Sequence, residues 1–331
     1  MIGNGLMLLA ALAMLIKGAD LFVDGAARLA RGMGVSSLAV GLTVVAFGTS
    51  LPELFVNLSA AVHGGSDIAL GNVVGSNIAN ILLILGISAL IRPLTVGNGI
   101  VGKAIACSLL ATVLLWVLAS DVYLDGAWFS ILSRSDGLML LAFFMVFLAY
   151  SASMRATLDG LPVAAAALSG QAARVAWKMI IGSGGLLFGG RWVVESAAAL
   201  AGILAMPESV MGLTVVALGT SLPELTASAM AARRGEVEIA VGNVVGSNLF
   251  NLLFVLGVSA FIRPLPFNPS ANVDMGVMAA AGILLFIFLC SGRVRLMDRW
   301  EGVLALLVYA LYLGYRLGPI CFPGMLDRPA G

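Results

Sequence analysis

GLTVVAFGTSLPEL at residues 41–54 returns as GLTVVALGTSLPEL at residues 212–225, and each copy sets one Glu inside a strongly apolar stretch. The repetition continues: GNVVGSNIAN at 71–80 returns as GNVVGSNLFN at 242–251, and IRPL at 91–94 returns as IRPL at 262–265. Every pair is offset by 171 residues, and 41–94 against 212–265 gives 35 identities in 54 positions without a gap. Identity of that length at one offset marks an internal repeat rather than shared composition. A fold built twice implies a site built twice.

Composition fixes the solvent. The chain is 60% hydrophobic and 11% charged, with mean hydropathy +1.06, whereas soluble domains carry about 25% charged residues. It reads as an integral membrane protein. The net charge of +1 says nothing of partners, and no basic run, aromatic-arginine patch or zinc spacing points to nucleic acid. No obligatory protein partner is evident. Cys107, Cys290 and Cys321 are far apart and odd in number, which disfavours a disulfide framework or a CxxC redox site. The start, MIGNGLMLLAALAMLI, lacks a basic leader region and runs into Lys17, Asp20 and Asp24, so it is expected to be a retained first helix.

A helix needs roughly 20 residues to cross the hydrocarbon layer. About ten such spans are expected, at 4–30, 36–62, 68–91, 98–119, 136–154, 176–203, 208–232, 239–261, 273–291 and 300–317. Five fall in a first half, 1–154, and five in a second, 176–331, joined by an Ala-rich connection at 155–175. An odd number of spans per half means that the second enters the membrane from the side opposite to the first, which gives inverted repeats. The expected fold is therefore an all-α polytopic membrane protein of two inverted five-helix repeats, with broken helices at a central ion site.

The positive-inside rule tests this count separately. With the N-terminus outside, the inner loops collect Arg28, Arg31, Arg92, Lys103, Arg155, Arg174, Lys178, Arg233, Arg234, Arg293, Arg295 and Arg299, and the outer side keeps Arg134, Arg263, Arg316 and Arg328. Lys17 and Arg191 lie within helices. That split of 12 to 4 places both termini outside, and Arg92 and Arg263 on opposite faces, as inversion requires.

The repeated segments also carry chemistry. Pro52 has no N–H for the carbonyl of Gly48 and Pro223 has none for that of Gly219, so each helix must kink or unwind there. At membrane depth, freed carbonyls are tolerated where protein or a water-filled cavity satisfies them. Thr49, Ser50 and Glu53 share one helix face by i, i+4 and i, i+3 spacing, as do Thr220, Ser221 and Glu224. Ser76 and Asn80, like Ser247 and Asn251, stand at i and i+4. Each half thus offers a carboxylate, hydroxyls, an amide oxygen and loosened carbonyls.

An ionised carboxylate at mid-membrane costs roughly 2.5 to 3.5 kcal/mol on insertion scales, and two brought together repel, so a cation or a proton must compensate. Ca²⁺ takes about 6 to 8 oxygens in flexible geometry, while Mg²⁺ demands a tight octahedron and gives up water reluctantly. An all-oxygen cage suits Ca²⁺, and the lack of His and Cys at these positions argues against zinc or copper. Simpler readings stand beside this one. Gly71, Gly75, Ser76, Gly242, Gly246 and Ser247 suit close helix packing, and Asn80 and Asn251 could bond helix to helix. Lys17, Asp20 and Asp24, with Arg191 and Glu195, fit neutralising pairs, and His63 fits a solvated loop. Packing does not explain a Glu that follows a helix-breaking Pro twice.

The paired GTSLPE and GNxxGSNxxN segments, each present twice in a ten-span chain, resemble the two alpha-repeats of the sodium/calcium exchanger family, within the cation/calcium exchanger superfamily. The match covers about 18–94 and 189–265 strongly, and the pattern is most similar to prokaryotic calcium/sodium antiporters. The resemblance implies that Glu53, Thr49, Ser50, Ser76 and Asn80, with Glu224, Thr220, Ser221, Ser247 and Asn251, ligate transported Ca²⁺ and Na⁺, joined by the carbonyls of Ala46 and Ala217. It further implies an antiporter rather than an enzyme, without a cofactor, in a prokaryotic inner or plasma membrane. Family members often carry Asp at the position of Asn251. Here both halves carry Asn, leaving two acids, enough to balance one Ca²⁺. A proton- or K⁺-coupled exchanger uses the same oxygens, as does a passive channel. An intramembrane enzyme would need a base beside Ser50 or Ser221, and no His stands near either in sequence.

Overall fold

The computed structural model describes residues 2–63, 65–95, 100–153, 172–203, 217–269, 271–291 and 296–321. Its long helices are α1 (Ile2–Met33), α2 (Ser37–Thr49), α3 (Leu51–His63), α4 (Ser66–Ile91), α5 (Ile100–Leu118), α6 (Arg134–Ser153) and α7 (Ala172–Ile203). A short α8 (Ala217–Thr220) leads into α9 (Leu222–Arg234), α10 (Val237–Ile262), α11 (Ala271–Ser291) and α12 (Arg299–Cys321). Among the described residues, six helices are long and apolar enough to cross a membrane, and the bent pair α2–α3 makes a seventh candidate. The chain is an all-α polytopic membrane protein. Residues 208–216 of the seventh expected span, 154 of the fifth, 155–171 of the connection and both chain ends lie outside the described residues. The connection is shorter than expected: Ala172–Val175 already belong to α7, an Ala-rich start free of Gly and Pro that favours helix.

The helix ends follow local chemistry. The Ser36 hydroxyl caps α2 by accepting the Ala39 N–H at 3.1 Å. Gly235, at φ +80°, closes α9 in the left-handed conformation open to glycine, with its N–H on the Ala232 carbonyl. Pro52 and Pro223 act as expected: α2 gives way to α3 at Ser50 (φ −87°, ψ 11°) with a 49° bend, and α8 to α9 at Ser221 (φ −84°, ψ 3°). Three wide π-helical turns had no sequence signal: Gly41–Val45 in α2, Asn80–Ile84 in α4 and Phe250–Val255 in α10.

Burial separates centre from periphery. The apolar windows of α4 and α10 are 72% and 78% buried inside the protein, against 28–39% for the other four candidate spans, whose remaining surface suits lipid. The flanks are exchanged between the halves. Gly86 of α4 meets α12, where an added Cβ would come 3.1 Å from the Gly302 carbonyl oxygen, and Gly137 of α6 meets α10, 2.7 Å from that of Gly257. Two small antiparallel ribbons follow the same exchange: β1 (Leu94–Thr95) pairs with β4 (Leu296–Met297), and β2 (Ser130–Leu132) with β3 (Leu265–Phe267). Outside this core, α1 and α7 run along each other on glycines. A Cβ on Gly18 would lie 2.7 Å from the Gly185 backbone, and one on Gly182 would lie 2.6 Å from the Phe22 nitrogen. Such approach is how helices gain packing energy where no hydrophobic effect separates protein from lipid.

Two arginines locate the ends of the central helices. Arg92, after α4, lies beside Gly235, the turn after α9. Arg263, after α10, donates to the Val62 carbonyl near the end of α3, at 3.3 Å.

Candidate functional site

Where α2–α3 and α8–α9 break, they lie against the middle of α4 and α10. Thr49, Ser50, Glu53, Ser76, Asn80, Ser221, Glu224, Ser247 and Asn251 are all buried to 3% exposure or less, and Thr220 is half-buried. Ala46 is buried too; its carbonyl accepts the Ser50 N–H at 3.0 Å. Ala217 begins α8, and its side chain lies outside the described residues.

The expected residues come together across the repeat. Ser50 donates to Glu224 Oε1 at 2.7 Å, and Ser221 to the Ser76 hydroxyl at 3.3 Å. The Glu53 and Glu224 carboxylates interact electrostatically. Thr49 donates to Asn243 Oδ1 at 3.1 Å, with the Ala46 carbonyl at 3.3 Å, and Thr220 donates to Asn72 Oδ1 at 3.3 Å. Asn80 Nδ2 donates to Asn248 Oδ1 at 3.0 Å, and Asn251 Nδ2 to Asn77 Oδ1 at 3.2 Å.

Oxygens are left over at the centre. Both carboxylate oxygens of Glu53, Oε2 of Glu224, the Oδ1 atoms of Asn80 and Asn251 and the Ser247 hydroxyl are buried without a hydrogen-bond partner. Buried polar atoms are normally satisfied, and each exception needs an explanation. Six of the nine such atoms among the described residues sit on the expected residues, with Ser88, Ser151 and Ser196 holding the other three, and all nine are oxygens. Among the described residues, no three His, Cys, Asp or Glu side chains cluster, so a cation at this centre would draw on neutral oxygens beside the two carboxylates.

Six polar residues that sequence reasoning did not single out as ligands join this hydrogen-bond network: Asn57, Asn72, Asn77, Ser228, Asn243 and Asn248. Four of them are the first and second Asn of the repeated GNVVGSN, so their signal was in the repeat itself. Of the charges expected to form neutralising pairs, Arg191 and Glu195 pair with each other, whereas Asp20 and Asp24 pair with residues outside that set, all away from the centre. Asp24 pairs with Lys178 at 2.6 Å and Arg28 at 2.9 Å, Arg234 reaches Asp20 at 2.6 Å and Asp24 at 3.2 Å, and Arg191 pairs with Glu195 at 2.7 Å. Lys17 is exposed on α1, as is His63 at the end of α3. Cys107 is a half-buried free thiol; the side chains of Cys290 and Cys321 lie outside the described residues.

A helical membrane protein with paired broken helices around a buried, oxygen-lined, acidic centre belongs to the class of ion transporters built from repeats. Comparison with known proteins narrows this. The family model described as sodium/calcium exchanger protein matches the chain twice, at residues 4–152 and 166–318. The chain is 39% identical to the inner membrane protein YrbG of Escherichia coli K12, covering 95% of this chain and 97% of that one. It is 33% identical to the sodium/calcium exchanger MaX1 of Methanosarcina acetivorans, covering 94% and 97%. A solved structure of the sodium-calcium exchanger NCX_Mj, soaked with Na⁺ and Ca²⁺, superposes with a TM-score of 0.82 at 33% identity over 95% of this chain and 98% of that one. The chain belongs to the sodium/calcium exchanger family.

Proposed function

We propose that the chain is a secondary active antiporter that exchanges Ca²⁺ for Na⁺ by alternating access, in a prokaryotic inner or plasma membrane. The ions bind near the midplane between Glu53 and Glu224, with Thr49, Ser50, Ser76 and Asn80 from one half and Thr220, Ser221, Ser247 and Asn251 from the other, joined by the carbonyls of Ala46 and Ala217. The carrying observation is the set of buried, unpartnered oxygens on Glu53, Glu224, Asn80, Asn251 and Ser247. Burying two ionised carboxylates costs several kcal/mol each, which a bound divalent cation offsets. The twelve ligand groups exceed the 6 to 8 oxygens that Ca²⁺ takes, so Ca²⁺ and Na⁺ can draw on overlapping subsets and compete. That competition couples the two fluxes.

The architecture that serves this is ten spans in two inverted five-helix repeats, 1–154 and 176–331, with both termini outside. Its support is the placement of Arg92 beside Gly235 and of Arg263 beside Val62. Helices α4 and α10 thereby run from opposite ends of the same bundle. The glycine-packed pair of α1 and α7 moves against the core to expose the centre to one side at a time. Two carboxylates balance one Ca²⁺, and the neutral Asn80 and Asn251 mean that the number of Na⁺ exchanged is set by this chain's own residues.

Ca²⁺ flux into sealed liposomes under separately imposed Na⁺, K⁺ and H⁺ gradients tests the reading. Uptake driven by outward Na⁺ and lost in Glu53→Gln is the expected result. Uptake driven by a proton or K⁺ gradient instead would overturn sodium coupling, and Ca²⁺ leak with no opposing gradient would show a channel.

A further inference from the structure

The orphaned oxygens at the centre raise a question of orientation. An Asn side chain is as ready to present an NH₂ as an oxygen, and a Thr hydroxyl as ready to present its hydrogen as its lone pairs; an N–H or O–H aimed at a cation repels it. We infer that Asn72, Asn77, Asn243 and Asn248 are positioning residues that each take up a hydrogen of one ligand, so that Thr220, Asn251, Thr49 and Asn80 turn lone pairs toward the centre. This rests on the ion site proposed above.

Four bonds have the same form. Asn72 Oδ1 accepts from Thr220, Asn77 Oδ1 from Asn251, Asn243 Oδ1 from Thr49 and Asn248 Oδ1 from Asn80. In each the acceptor stands in the half opposite to the donor. The direction of three of these bonds is traced to backbone carbonyls, which can only accept. The Ala69 carbonyl takes Asn57 Nδ2 at 3.0 Å, which turns Asn57 Oδ1 toward Asn72 Nδ2 at 2.8 Å, and that turns Asn72 Oδ1 toward Thr220. The Asn248 carbonyl takes Asn77 Nδ2 at 3.2 Å, which turns Asn77 Oδ1 toward Asn251. Asn243 Nδ2 is held by the Ser228 hydroxyl at 2.9 Å and the Glu224 carbonyl at 3.4 Å, which turns its Oδ1 toward Thr49. Flipping one amide would leave two N–H groups, or two oxygens, facing each other in a buried setting, at the full cost of unmade bonds. The outcome is visible in Asn80 and Asn251, whose nitrogens are bonded and whose oxygens are free.

A double-mutant cycle separates this role from plain packing. Ca²⁺ binding is measured by calorimetry on the purified full-length protein in Na⁺-free buffer. Asn248→Leu is expected to weaken binding about tenfold, as loss of groups that orient metal ligands does. In an Asn80→Ala background the same change is expected to add less than about twofold, because its only route to the ion has gone. Independent, multiplying penalties, or wild-type affinity in Asn248→Leu, would overturn the inference. If Asn248→Leu fails to fold, the same cycle on Thr49→Ala and Asn243→Leu decides by the same criterion. Failure of the ion site itself reads differently: Glu53→Gln would then bind Ca²⁺ as the wild type does.

Discussion

Asp20 and Asp24 on α1 stand 171 residues before Arg191 and Glu195 on α7, so one position reverses its charge and the other keeps an acid only of a different length, whereas Glu53 and Glu224 at the same offset are identical. Asp20 and Asp24 reach across to Arg234 on α9 and Lys178 on α7, tying three helices together. Arg191 and Glu195 pair only one turn apart on α7, at 73% and 46% side-chain exposure. Under the proposed function the centre presents the same oxygens from both halves, which accounts for its identical residues. The ends of the helices face different surroundings in the two halves under the proposed inversion, so they are free to diverge. Function constrains the dyad and leaves the rims to local electrostatics.

The sharpest way to break this contrast is at the centre. Glu53→Gln and Glu224→Gln should each lower sodium-driven Ca²⁺ uptake at least ~30-fold, since losing one charge of a buried set costs about 2–5 kcal/mol and tenfold in rate is about 1.4 kcal/mol. If one variant kept near-normal flux in vesicles, the two carboxylates would not be equivalent. Packing comes next. Gly182→Val drives its side chain into the Phe22 backbone and should cost about 1–3 kcal/mol of stability, as overpacked sites do. Gly184→Val, on the same helix with nothing within 4 Å of its added Cβ, should leave the unfolding midpoint near that of the wild type; equal losses would mean that the α1–α7 contact is not the cause. The smallest effect lies at the rims. Arg234→Gln removes bonds to Asp20 and Asp24 and should destabilise by about 1 kcal/mol, less at high salt, while Arg191→Gln should leave the midpoint unmoved. A midpoint shift of the same size in both would erase the asymmetry between the two ends.

Much of this was legible in the sequence because bilayers are blunt readers. The helices start and stop within a few residues of the hydropathy boundaries, and the bends at Ser50 and Ser221 follow from Pro52 and Pro223, whose missing N–H groups act in any surroundings. The ten side-chain ligand candidates could be read because the repeat picked them out twice. The π-helical turn at Asn80–Ile84 could not, since nothing in NILLI prefers a wide turn; it depends on what packs around α4. The second Asn of each GNVVGSN was quoted and passed over. A residue whose side chain bonds to the other half leaves no mark in local spacing, and Asn77 and Asn248 find their partners only once α4 and α10 lie side by side.

The crossed asparagines also make the centre an interface. The asparagine bonds of Thr49, Asn80, Thr220 and Asn251 each join one half to the other, and so do both β ribbons and the Gly86–Gly302 and Gly137–Gly257 contacts. The seam between the halves therefore runs through the candidate site. On the function proposed above, the two halves expressed as separate chains should assemble along this seam, and hold more firmly as Ca²⁺ rises.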